Sequence, residues 1–87
     1  LDYLGPENVE HVSTMDENIE LLEVELPESF RPRYLSTLAT PQVAPVALER
    51  DHRVMLYRED LEALPNDRLF LVVAREVADE AVARVVG

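Results

Sequence analysis

Pro65-Asn66-Asp67-Arg68-Leu69-Phe70-Leu71-Val72-Val73-Ala74-Arg75-Glu76 decides the architecture of this chain. A turn signal (Pro, Asn, Asp) leads into six apolar residues, Leu69 to Ala74, and charge follows. An apolar run of that length, rich in Leu, Val and Phe and bounded by a breaker, reads as a buried central strand. It is far short of the ~20 apolar residues that span a bilayer. The remaining sequence is expected to pair with this strand or cover it.

Working outward, Ile19 to Leu26 alternates in its second half: Leu22, Val24 and Leu26 against Glu23 and Glu25. That pattern predicts a strand with one wet face, ended by Pro27. Ser29 is placed to cap a following helix and Pro32 suits its first turn. Tyr34, Leu35, Leu38 and Ala39 then share a helical face until Pro41. Val43 to Glu49 predicts a second strand, with Val46 and Leu48 on one face. Pro45 removes a ladder donor there, which requires an edge or a bulge. Asp51-His52 reads as a two-residue turn, since Asp tolerates the positive φ that such turns need. Val54 to Tyr57 returns as the third strand, Glu59 to Leu64 as a polar connection. Val77, Ala78, Ala81, Val82 and Val85 recur at helical spacing, with Gly87 as the C-cap. The order is β-α-β-β-β-α, an α+β fold in which helices cover one face of a small mixed, mostly antiparallel four-stranded sheet. Residues 1–18 read as a linker or the end of a preceding element, with Val9 and Val12 as one helical turn. The domain proper is 19–87.

Composition narrows the function. Eighty-seven residues make one small domain, 47 % hydrophobic and 30 % charged, as in ordinary globular proteins. Eighteen Asp and Glu face eight Lys and Arg, all of them Arg, for a net charge of −10. Such a surface repels phosphate backbones and anionic lipid, so nucleic acid and direct membrane insertion are poor partners. Solubility or a high-salt cytoplasm accounts for the acidity; a specific cationic partner, protein or ion, is the alternative. The absence of Cys fits a cytoplasmic location and removes thiolate chemistry. The chain shows no signal peptide or transmembrane run, and its start at Leu1 suggests a piece of a longer protein.

Catalytic and metal patterns were sought residue by residue. His11 and His52 lack a second ligand at metal spacing, and Ser13, Ser29 and Ser36 lack a base in sequence context. Two glycines, Gly5 and Gly87, do not build a phosphate-cradling loop. Glu20, Glu23 and Glu25 fall on a solvent face. No enzyme active site is expected within these residues. Arginine is the exception: Arg31, Arg33, Arg50 and Arg53 cluster within a short span and can form an anion or phosphate site. The alternative is local pairing with Glu28, Glu49 and Asp51.

An ordered set of motifs from Ile19 to Val86 resembles the RCK-C or TrkA-C regulatory domain of potassium channels, transporters and cation antiporters. Val24-Glu25-Leu26-Pro27-Glu28 is similar to that family's opening strand, and Arg33-Tyr34-Leu35-Ser36-Thr37-Leu38 to its short Thr-Leu-x-x-Leu helix. Val46 to Tyr57 is similar to its Arg-bearing hairpin, and Pro65 to Ala74 to its Pro-Gly-Asp strand. Three positions depart from the pattern. Arg31-Pro32-Arg33 replaces a loop Gly, Tyr57 a Pro, and Asn66 the Gly of the last motif.

The resemblance implies a cytoplasmic homodimeric module attached, in cis or in trans, to a membrane cation channel, transporter or antiporter subunit. It implies no cofactor, but a regulatory nucleotide such as cyclic di-AMP at the dimer interface. Arg50 is then the first phosphate contact and Leu48 and Tyr57 are wall or stacking residues, with Arg53, Arg31 and Arg33 as further candidates. Two other readings stand beside it: a structural dimerisation domain without ligand, and an accessory domain of a metabolic enzyme with an ACT-like layout.

Overall fold

The computed structural model describes residues 9–87. Seven strands run through it: β1 (Val9–Asp16), β2 (Ile19–Glu25), β3 (Arg33–Tyr34), β4 (Val43–Arg50), β5 (Arg53–Leu56), β6 (Glu62–Ala63) and β7 (Arg68–Ala74). One α-helix, α1 (Ala78–Val86), follows β7 after a 3-10 turn at Arg75–Val77. The main sheet has five strands in the order β1-β2-β7-β4-β5, every neighbour antiparallel. β3 and β6 form a separate two-stranded ribbon.

The apolar run Leu69 to Ala74 lies in β7, the centre of this sheet, as its composition predicts. Its alternation is strict. Leu69, Leu71 and Val73 are buried, whereas Phe70, Val72 and Ala74 are half-buried on the opposite face. Leu22, Val24 and Leu26 join the inward set, and α1 closes it with Ala78, Ala81, Val82 and Val85. One core results, with α1 on one side of the sheet.

Several expectations are corrected. The sheet has five strands rather than four, because residues expected as a linker form β1 on its edge. Val9 and Val12 are not a helical turn: Val9 faces Val24 and Val12 faces Leu22, with a register shift between them. A bulge inserts one residue, so a spacing of three puts both valines on one face of a strand. The rest of the linker reading, residues 1–8, lies outside the described residues.

The predicted helix after Pro32 is only a 3-10 turn, Leu35–Leu38. Leu35 and Leu38 are buried as the pattern requires, but Tyr34 and Ala39 are exposed. Tyr34 is instead held in β3, and the Leu35 N–H donates to Leu61 O at 2.9 Å. Two prolines nine residues apart leave too little chain to repay helix nucleation once β6 competes for the same N–H groups. The helical content is therefore one α-helix and two short turns, and the sheet is wholly antiparallel rather than mixed.

Pro45 does mark a bulge. Pro45 pairs with Leu71 and Ala47 with Phe70, so Val46 is the extra residue. The inward phase consequently moves from Val43 and Pro45 to Leu48, instead of holding Val46 and Leu48 together.

Candidate functional site

The two-residue Asp51-His52 turn joins β4 to β5, with Arg50 opposite Arg53. Asp51 has φ 53° and His52 φ 64°, the paired left-handed conformation of the tightest hairpins. Arg50 is half-buried and Arg53, on the edge strand, is exposed.

Arg50 is held within the protein through its Nε and one terminal nitrogen. Its Nε donates to Asp67 Oδ1 at 2.9 Å and one terminal nitrogen to Asp67 Oδ2 at 2.6 Å. The same nitrogen also donates to Glu62 O at 2.9 Å. Asp67 is 2 % exposed, and its Oδ2 accepts the Leu64 N–H at 2.9 Å as well. The turn is tied further by Leu26 N–H to Asp67 O at 2.8 Å and Asn66 N–H to Leu26 O at 3.0 Å. Asn66, at φ 71°, takes a left-handed position of the kind that Gly most readily fills. The hydrogen bond to Asp67, then its charge, pushes the Arg50 guanidinium above its ordinary value despite partial burial. A two-pronged pair of this kind is a strong charge-assisted contact, and it fastens the β4–β5 hairpin to β6 and the turn before β7.

The other candidates separate into two places. Leu48 lies wholly within the core, with no exposed surface. Arg53 and Tyr57 sit at the two ends of β5, where the Tyr57 N–H donates to Val46 O at 2.9 Å. Arg31 precedes β3 and Arg33 opens it, paired with Ala63 beside the Glu62 whose carbonyl Arg50 holds. A groove of about 580 Å³ opens there between residues 29–33 and the end of α1, Val86 and Gly87. Its lining side chains include two arginines and no carboxylate. Arg33 donates to Val85 O at 2.7 Å and its guanidinium lies 5.4 Å from the centre of the Phe30 ring. That contact is within cation–π range and holds Arg33 in place. Arg31 is exposed at the rim. Arg50 and Arg53 do not line this groove, so the four arginines grouped by sequence proximity do not converge on it.

Sequence reasoning missed Asp67 as the partner of Arg50, expecting Glu49 or Asp51 nearby. An Asp directly before a buried strand, in a Pro-Asn-Asp turn, is the signal that could have found it. It also missed Arg68, which emerges on the outer face of β7. Its nearest guanidinium nitrogen is 3.6 Å from Glu49 and 4.0 Å from Glu23. Its buried Nε has no partner among the described residues. Glu20, expected on a solvent face, lies 3.6 Å from Arg75. No group of His, Cys, Asp and Glu among the described residues is arranged to hold a metal ion. No described helix is long and apolar enough to cross a membrane.

Compared with models of known families and with curated proteins, the chain matches none.

Proposed function

We propose that this chain is a cytoplasmic regulatory domain of a potassium or other monovalent-cation transport protein, binding a small anionic ligand and pairing as a homodimer. The transport assignment rests on the ordered motifs from Ile19 to Val86. One observation carries the ligand part: in a chain of net charge −10, the groove beside Phe30 is lined by two arginines and no acidic side chain. An anion is repelled by most of this surface and attracted there. Phe30, Pro32 and Val86 add apolar wall, which suits a ligand carrying phosphate and a flat ring; cyclic di-AMP is the first to try.

Arg31, exposed, is the direct contact, and Arg33, already held by Val85 and Phe30, fixes the loop. Ligand that binds one dimer arrangement better than another shifts the population between them, and the attached transport subunit senses the change in spacing.

The test is a calorimetric titration of the chain with cyclic di-AMP beside AMP, ATP and NADH. Saturable binding at one nucleotide per two chains, weakened about tenfold or more by Arg31→Ala, is the expected result. Silence from all four on folded protein would overturn the ligand part. A second reading, a structural dimerisation domain without ligand, is favoured by the engagement of Arg50 with Asp67. It takes over in that event.

A further inference from the structure

Sheet edges are normally guarded by charge, proline, bulges or a covering element, because an open edge recruits another strand. The two edges of this sheet differ. β1 carries two register irregularities and the carboxylates Glu10 and Asp16. β5 pairs with β4 through Arg53 to Leu56 without a register shift, and it has neither proline nor carboxylate. Val54 is 60 % exposed and Leu56 76 %.

The hydrogen-bonding phase of β5 follows from its partners. Tyr57 N–H points to β4, and Arg50 closes a two-residue hairpin on Arg53. By alternation residues 53, 55 and 57 bond to β4, while the amides of Val54 and Leu56 face away from the sheet. The side chains divide likewise. Met55 packs against the core, and Val54 and Leu56 lie on the other face.

We propose that β5 pairs antiparallel with β5 of a second copy of this chain, joining the two five-stranded sheets across a two-fold axis. The inference rests on the homodimer part of the proposed function and names its surface.

The choice of a second copy comes from self-complementarity. With Met55 facing its own counterpart, Val54 lies opposite Leu56 and the outward amides exchange four hydrogen bonds, two at each Val54–Leu56 pair. The same register sets Arg53 opposite Tyr57, where a guanidinium can lie on a phenol ring. Charge agrees. From Arg50 to Asp60 three arginines balance three carboxylates, so this is a neutral stretch on a chain of net charge −10. Two β1 edges would instead bring carboxylates together. The pairing also extends the outer-face strip Phe70, Ala47 and Leu56 into Val54 of the partner copy.

So short an edge gives a weak dimer, and the long-range repulsion of two acidic chains makes it stronger in salt. Sedimentation equilibrium of the chain from about 10 µM to about 1 mM, at low and at molar KCl, should show concentration-dependent dimerisation that tightens with salt. Leu56→Lys and, separately, Val54→Lys should weaken it about tenfold or more while the circular dichroism stays that of the parent, since both positions are exposed in the monomer.

A parent that dimerises while both variants dimerise equally well overturns the β5 edge and leaves the homodimer reading standing. A parent that stays monomeric throughout overturns both. A monomeric parent would also remove the expected stoichiometry of one nucleotide per two chains, whereas binding at Arg31 itself is read by the titration alone.

Discussion

Arg50 illustrates how one side chain exchanges ligand chemistry for structure. Its guanidinium offers a fixed fork of donors, and Asp67 occupies that fork from a buried position. Removing one partner of a buried pair costs about 3–5 kcal/mol, because the other charge is stranded. Arg50 keeps 30 % of its side-chain surface in water, so Arg50→Ala should cost nearer about 2–3 kcal/mol in urea denaturation. In a double-mutant cycle, Asp67→Asn should lose much less once Arg50 is already Ala; independent, additive losses would contradict the pair. Arg50→Lys should recover only part of the stability, since an ammonium does not reproduce the two parallel bonds. The pH dependence has a definite sign. A cation whose folded value is raised contributes its full stabilisation below its unfolded value, and loses it only as pH climbs through the higher folded value. The Arg50 contribution should therefore be flat between about pH 6 and about pH 10. A drop in the difference between parent and Arg50→Ala over that range would count against this.

At the scale of elements, the strands with clean alternation were legible and the bulged ones were not. β7 keeps period two from end to end and β2 in its second half, and their inward residues are those the pattern picks out. In β1 and β4 a bulge changes the phase, so the apolar spacing mimics a helix at Val9 and Val12 and misplaces Val46. Pro45 announced its bulge because a missing N–H must be accommodated somewhere; Glu10, the extra residue in β1, leaves no such mark. The turn at Asp51-His52 was legible from Asp, yet His52 at φ 64° is a strained choice. His52→Gly should raise stability by about 0.5–1 kcal/mol, the relief of the left-handed cost exceeding the added flexibility of the unfolded chain. An unchanged or lowered denaturation midpoint would show that the His52 side chain compensates its own backbone. The clustering of arginines misled for a different reason. Nearness in sequence says little once β4 and the loop before β3 diverge, and Asp67 reaches Arg50 across seventeen positions.

For the whole molecule, acidity is the dominant property. Eighteen carboxylates on 87 residues repel one another in the folded state more than in the expanded one, and salt screens that repulsion. The melting temperature should rise by several degrees, on the order of 5 °C, between low salt and molar KCl. A melting temperature independent of KCl would remove self-repulsion as a factor. Against this background, the proposed reading assigns an anion to the Arg31–Arg33 groove and a second copy to the neutral β5 edge. The most direct test of the ligand claim follows the arginine Nε–Hε signals of the 15N-labelled chain by NMR during titration with cyclic di-AMP. Shifts at Arg31 and Arg33 that saturate at one nucleotide per two chains, with Arg50 stationary on Asp67, are predicted. Movement of Arg50 while Arg31 and Arg33 stay still, or no movement of any arginine, would contradict the account.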